Sequence, residues 1–348
     1  MIVLGIETSC DETSVSLVSD GREVLSNVIA SSRLAFEDLA GVIPEEAARK
    51  QVECMIPVLR EALHQADMPV EEIDAIAVTR GPGLLGSLLV GTTTARALAY
   101  SWQCPLLGIH HTLGHLSSPW LIPAGAESDT IHFPVLTLSA SGGHTDLWYR
   151  TSHTSGKLIG RTRDDAAGEA FDKGASILGL PYPGGPSLSR AAHGGDPRRY
   201  PFPLPLRGEQ TLDFSFSGLK TAFKYLLRDN PKAKDDLANV SASYQEAICN
   251  HLLDRVEKAL DSLDHVQEVH AVGGVSANTR LRELLENLCS RHHLTPRTPL
   301  SIAYCTDNAA MVASAGYFYA TEIGADASIP FETLASLPLE ETLIRPIS

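Results

Sequence analysis

Apolar residues along this chain fall either in short alternating runs or in longer stripes at helical spacing. Ile2-Val3-Leu4-Gly5-Ile6 is an apolar run, Glu7 to Ser14 is small and polar, and Val15-Ser16-Leu17-Val18 alternates. The same order of features returns some 130 residues later, in Phe133 to Leu138, Ser139 to Thr145, and Asp146-Leu147-Trp148. Each segment predicts two strands joined by a tight turn. Turns of small residues present backbone N–H groups, a geometry suited to anions. The recurrence predicts a duplicated, two-lobed architecture with a cleft between the lobes.

Further elements follow from the same patterning. Ile73-Asp74-Ala75-Ile76-Ala77-Val78-Thr79 reads as a buried strand, Arg80-Gly81-Pro82-Gly83 as a turn, and Leu84 to Tyr100 as a helix rich in Gly, Ala and Thr. Upstream, Pro44 starts an amphipathic helix over Glu45–Gln65, with Val52, Met55, Ile56, Leu59 and Leu63 on its apolar side. Pro181 to Arg207 is rich in Pro and Gly and reads as a long surface loop. Val269 to Asn278 followed by Thr279 to Leu285 reads as strand, Gly273-Gly274 turn and helix; its helix start favours a phosphate or polar ligand. Ala309 to Ala320 is an apolar helix preceded by Thr306-Asp307-Asn308, where Asp307 is either the helix cap or a carboxylate aimed into a site.

Composition narrows the class. With 348 residues and 43% hydrophobic positions, the chain can build two lobes with substantial cores. No apolar stretch has the roughly 18–20 residues of a membrane span, and the N-terminus lacks the basic start of a signal peptide. The six cysteines are scattered without a C-x-x-C, which fits reduced thiols and a cytoplasmic protein. The net charge of −14, taken alone, argues against a nucleic-acid partner. Its distribution is uneven: residues 150–299 hold 20 basic and 18 acidic residues, and the remainder holds 8 and 24. One lobe is therefore acidic, while the other is near neutral and offers cations on which a phosphate backbone could dock.

The candidate chemistry lies in Gly108-Ile109-His110-His111-Thr112-Leu113-Gly114-His115. His111 and His115 at i and i+4 share one helix face, so both imidazoles can reach one metal ion. The spacing alone does not separate a metal site from a polar helix face.

Taken together, the motifs resemble the bacterial tRNA threonylcarbamoyladenosine transferase (TsaD) family, formerly described as O-sialoglycoprotein endopeptidases. The likeness extends over essentially the whole chain. It rests on Gly5-Ile6-Glu7-Thr8-Ser9-Cys10-Asp11-Glu12-Thr13-Ser14, Arg80-Gly81-Pro82-Gly83-Leu84, the His111/His115 pair and Ser141-Gly142-Gly143-His144-Thr145. It continues through Asp164 to Lys173, Tyr182 to Pro186, Phe214 to Thr221, Gly273 to Asn278 and Cys305 to Asn308.

This resemblance implies an α/β fold of the ASKHA (actin/hexokinase/Hsp70-like) kind, two duplicated lobes around a central cleft. The expected division is 1–130 plus 303–348 for an acidic lobe carrying the metal ligands. Residues 131–302 would form the lobe that binds the adenylate and faces tRNA. The resemblance further implies that His111, His115 and Asp307 hold one divalent ion, Fe(II) or Zn(II). By the same carry-over Ser139, Ala140, Ser141, Gly142, Gly143, Asp172, Gly185 and Asn278 contact the adenylate.

The implied reaction moves a threonylcarbamoyl group from threonylcarbamoyl-AMP to N6 of the adenosine at tRNA position 37, in tRNAs reading codons that begin with A. Asp11 and Glu12 are the candidates for accepting the amine proton. Implied partners are a smaller paralogous subunit and a P-loop ATPase; Glu45–Gln65 is the candidate contact for the subunit, with core packing against its own sheet as the alternative and room for both on different faces. Many relatives carry an acidic residue where this chain has Leu113, so a carboxylate supporting the metal ligands is not expected at that position. Two rival activities remain at this point. A metalloprotease of the H-E-x-x-H type lacks its glutamate here, because Thr112 follows His111. An ATPase or kinase is the other, since ASKHA folds often transfer phosphoryl groups.

Overall fold

Both expected hairpins form, and each lies at the centre of a sheet. The computed structural model describes residues 1–31, 43–127 and 129–339. In the first sheet, β1 (Ile2–Glu7) pairs antiparallel with β2 (Glu12–Ser19), which pairs with β3 (Glu23–Ser31). On its other side β1 takes β4 (Ala75–Gly81) and then β5 (Leu106–His110), both parallel, and short β6 (Ile122–Pro123) closes the far edge. The order is β5-β4-β1-β2-β3-β6. The second sheet uses β7 (Val135–Ala140), β8 (Thr145–Arg150), β9 (Gly156–Arg161), β10 (Glu268–Val272) and β11 (Thr295–Arg297) in the order β11-β10-β7-β8-β9. Replacing each of β7 to β11 by its counterpart among β1 to β5 reproduces the first order, with the same antiparallel hairpin and the same parallel neighbours. The duplication expected from the two hairpins is present strand by strand.

The helices are α1 (Pro44–Ala66), α2 (Leu85–Trp102), α3 (His111–Ser117), α4 (Ala167–Leu178), α5 (Gly184–Ala191), α6 (Ser217–Asp229), α7 (Leu237–Ser262), α8 (Thr279–His292), α9 (Ile302–Cys305) and α10 (Ala309–Ile323). The chain divides into two compact units. One comprises residues 1–131, 151–156 and 299–348; the other comprises 132–150 and 157–298. Residues 340–348 of the expected first lobe lie outside the described residues.

In the first unit Leu4, Ile6, Val15 and Leu17 of the hairpin pack with Met55 and Leu59 of α1 and with Ile76, Val78 and Ala95. In the second, Leu136, Leu138 and Leu147 pack with Phe171, Phe214, Phe223, Tyr244 and Leu285. Each such side chain removed from water contributes about 1.5–3 kcal/mol before entropy is counted. α10 is apolar on every face and buried from Ala309 through Gly316, as a helix inside a unit must be. Among the described residues no helix is long and apolar enough to cross a membrane.

One expectation needs correction. Pro181 to Arg207 is not wholly irregular, because α5 forms within it. Its start, Gly184-Gly185-Pro186, looks like a breaker, yet proline is tolerated in a first helical turn, whose N–H groups have no partner inside the helix. The apolar side of α1 is split. Met55, Val58, Leu59 and Ala62 are buried, whereas Val52 and Ile56 are 62% and 50% exposed. With Gly86, Leu89 and Val90 of α2 they line an outward-facing apolar groove.

Candidate metal centre and adenylate-binding turns

In the first unit, β5 ends at His110 and α3 begins at once. His110 caps the helix: its Nδ1 accepts from Thr112 N at 3.0 Å, and its Nε2 donates to Leu337 O at 2.7 Å. That leaves His111 and His115 one turn apart, with ring centroids 4.8 Å from each other and planes at 88°. The third member comes from the start of α10. Asn308, not Asp307, caps that helix, its side chain accepting from Met311 N at 3.1 Å. Asp307 is thereby not spent on capping, and its Oδ1 stands 3.1 Å from His115 Nε2 and 3.5 Å from His111 Nε2.

Close approach of α10 to β1 makes this meeting geometrically permissible. A Cβ at Gly5 would lie 2.1 Å from Ala309 O, so only glycine lets the helix start sit against the strand.

The donor set fits a metal ion. One donor atom each from His111, His115 and Asp307 lies within 4.8 Å of the others, and two imidazoles with one carboxylate suit a transition-metal or zinc ion with open positions. Ligands about 2.1 Å from one tetrahedral ion stand roughly 3.4 Å apart, close to the two separations from Asp307. A buried carboxylate supports the cluster from behind. Glu7, fully buried at the end of β1, places Oε2 3.3 Å from His111 Nδ1. It is held there by Ser9 N on Oε1 and Thr79 Oγ1 on Oε2, both at 2.5 Å. Ser9 Oγ also lies 3.1 Å from His111 Nδ1.

Burial would push the His111 pKa down, but Asp307 and Glu7 outweigh it and hold it up at about 9. Burial opposes ionisation of Glu7 too, yet His111 and Ser9 keep its carboxyl below the usual range. Sequence reading passed over Glu7 as one letter of the first motif. Its signal was available only as an acid ending an apolar strand, where a buried charge requires a partner.

Asp11 and Glu12 are both buried in the first turn, 5% and 6% exposed. Gln51 of α1 clamps that turn, donating through Nε2 to Thr8 O, Cys10 O and Glu12 O at 3.3, 3.0 and 2.9 Å. All six cysteines are free, and burial together with Asp11 pushes the Cys10 thiol far up, which makes it a poor nucleophile.

The residues expected to contact the adenylate all lie in the second unit. Ser139 and Ala140 end β7 and are buried. Ser141 Oγ accepts from His144 N at 3.2 Å and Gly143 N at 3.4 Å, so two N–H groups of this turn are directed inward at the serine. Around Gly142 and Gly143 there is open space, with nothing within 4 Å of a built Cβ. The start of α4 packs on the turn through Gly168 N to Ser141 O at 3.0 Å. Four residues on, Asp172 Oδ1 accepts from Gly184 N at 2.8 Å and fixes the start of α5 beside Gly185. Gly273, at φ +84°, approaches Ala140 O so closely that a Cβ would lie 2.4 Å away. Asn278 caps α8, accepting from Leu281 N at 3.0 Å and donating Nδ2 to Gln245 Oε1 at 2.7 Å. The β7–β8 turn, the start of α4 and the β10 turn are thus tied into one framework, and α4 ties in the start of α5. Lys173 is engaged by Asp165 and Glu169 at 2.8 and 2.6 Å.

Residues 23–314 match the family model described as "TsaD: tRNA N6-adenosine threonylcarbamoyltransferase". A tRNA N6-adenosine threonylcarbamoyltransferase of Symbiobacterium thermophilum is 46% identical over 323 residues, 91% of each chain. That of Bacillus subtilis is 44% identical over 318 residues, 91% of this chain and 90% of the relative. Among solved structures, T.kodakarensis HypF superposes with a TM-score of 0.61 at 13% identity, over 99% of this chain and 49% of that one. Component A of the Acidaminococcus fermentans (R)-2-hydroxyglutaryl-CoA dehydratase gives 0.52 at 14% identity, over 92% and 99%. These likenesses show the duplicated ASKHA-type α/β fold. At the level of sequence, the chain belongs to the TsaD family of tRNA N6-adenosine threonylcarbamoyltransferases and is a transferase.

Proposed function

We propose that the donor is threonylcarbamoyl-AMP and the acceptor is N6 of the adenosine at tRNA position 37, with AMP released. The observation that carries this reading is the meeting of His111, His115 and Asp307, with Glu7 behind His111, in a chain of this family. Acyl transfer to a weakly nucleophilic amine needs aligned reactants and stabilisation of developing negative charge. His111, His115 and Asp307 would hold one divalent ion, Fe(II) or Zn(II), which when bound supplies Lewis-acid stabilisation of that charge. Glu7 fixes the His111 ring by engaging Nδ1, which turns Nε2 toward Asp307. Asp11 or Glu12 accepts the proton lost by the amine.

In the second unit the open backbone of Gly142, Gly143 and Gly185 takes the AMP portion, next to Ser139, Ala140 and Ser141. Asp172 and Asn278 line that site while holding the starts of α5 and α8. A full-length HypF structure that shares this fold over 56% of its own chain is in a phosphate- and nucleotide-bound form, which supports the nucleotide reading.

The apolar groove of Val52, Ile56 and Leu89 supports α1 as the contact for a smaller paralogous subunit, with a P-loop ATPase as a further partner in the cytoplasm. The test is reconstitution of the metal-loaded protein and its partners with threonylcarbamoyl-AMP and unmodified tRNA. Threonylcarbamoyl-adenosine should form and AMP be released; no modified nucleoside would overturn the reading. Proteolysis is disfavoured, because Thr112 occupies the place of the glutamate base.

A further inference from the structure

The second unit carries a cationic strip that no part of the reading above uses. Residues 217–234, α6 and the turn after it, hold five basic residues and one acidic one in a chain of net charge −14. Lys220, Lys224 and Arg228 recur every fourth residue, so they form one row with a spacing of about 6 Å along the helix. Lys232 and Lys234 extend it.

Many other cations of this unit are engaged, Arg163, Lys173, Lys258, Arg280, Arg291 and Arg297 among them, all against carboxylates, and the exposed Lys157, Arg190 and Arg207 are scattered and form no row. Among the described residues, Lys220, Lys224, Lys232 and Lys234 have no carboxylate within 4 Å, and Arg228 has only its exposed neighbour Asp229. Tyr225, 53% exposed, stands in the row with the Arg228 guanidinium 4.6 Å from its ring centre. A planar cation on an exposed aromatic ring is a surface on which a base can stack.

The row is also rigidly mounted. Leu219 and Phe223, on the side of α6 turned to the core, are fully buried. The helix start is held by Asp164, which accepts from Phe216 N at 2.7 Å, Ser217 N at 3.2 Å, and the Ser215 and Ser217 hydroxyls at 2.6 and 2.7 Å. In a protein this acidic, a row of unneutralised cations is where a polyanion is held most favourably.

We propose that the Lys220–Lys224–Arg228 face of α6, continued by Lys232 and Lys234, is the surface that binds the tRNA phosphate backbone. This rests on the tRNA reading above and goes beyond it by assigning the contact. The experiment measures binding of unmodified tRNA to the protein with its partners across a salt series, for wild type and for Lys220→Gln/Lys224→Gln/Lys232→Gln. A control variant, Lys157→Gln/Arg190→Gln/Arg207→Gln, removes three exposed charges elsewhere in the same unit.

The strip variant should lose roughly tenfold or more in affinity, and its log–log salt slope should fall by about 2–3, while the control keeps both. KM for tRNA should rise with AMP binding and thermal midpoint unchanged. Equal losses in the two variants, or none in the strip variant, would overturn the strip assignment alone. Wild-type protein with no affinity for tRNA at any salt would overturn the tRNA reading, and the strip with it.

Discussion

After β1 the chain turns through Thr8 to Asp11, a turn that is packed shut: Gln51 holds the carbonyls of Thr8 and Cys10 and that of Glu12 just beyond it, and Glu7 is sealed beneath against Thr79, Ser9 and His111. After β7 the equivalent turn is open around Gly142 and Gly143, and its serine oxygen gathers the local N–H groups. The strand order is the same in both places. Duplication therefore supplied the scaffold, and the side chains at the turn decided what each copy does. Filling the first with a buried carboxylate suits it to orient a cation-binding imidazole. Emptying the second suits it to admit a ligand against bare backbone.

The largest effect should come from removing a ligand on the first side only. Asp307→Asn should lower bound divalent metal to near zero and activity by roughly 100-fold or more, with AMP binding by the second unit retained. Metal analysis and equilibrium dialysis of AMP check the two halves separately, and joint loss would break the comparison. Glu7→Gln keeps the shape and removes the charge. It should weaken metal affinity by about 10–100-fold while the fold persists, measured by competition with a chelator.

A matched pair of glycine substitutions sharpens the contrast further. Gly5→Ala and Gly273→Ala each force a methyl into a backbone oxygen, at 2.1 and 2.4 Å, and should each cost about 1–3 kcal/mol. The first should also release metal and the second should weaken AMP binding; denaturant curves with both titrations decide.

Acid should act on the second unit. His251 and His270 lie there, pushed down to about 4, by burial and Arg255 in one case and by burial against the pull of Glu268 in the other. Their folded values lie below the unfolded 6.5, so this stability is full above pH 6.5. It is lost as pH falls toward 4, at up to about 1.4 kcal/mol per pH unit for each histidine. Urea curves at pH 7 and pH 5 should show the Trp148 signal of the second unit moving more than that of Trp120 in the first. The smallest effect is expected for Lys173→Met, within about 1 kcal/mol, since its ion pairs are partly exposed.

The repeated hairpins, α1 and the apolar α10 could be read directly, because period-2 and period-3.6 patterns record which face is buried. The pairing of His111 with His115 was visible as spacing, whereas Asp307 required the family resemblance: nothing local distinguishes it from the true cap, Asn308. Glu7 stayed hidden because its role depends on Thr79 and His111, which only the folded sheet brings to it. α5 stayed hidden because glycine and proline at a helix start look the same as in a loop. Exposure of Val52 and Ile56 could not be read, since an apolar residue on a helix gives no sign of which neighbour covers it.

The first unit is also discontinuous in the chain. His111 and His115 emerge from the ribosome early, but Asp307 and the helix that carries it follow only after the whole second unit has been made. The three-residue cluster therefore cannot exist on a growing chain until the second unit has been synthesised. During that interval the second unit, nearly contiguous in sequence, can fold first. The timing gives the protein a built-in delay: any ion the cluster selects is chosen only after the second unit has been made.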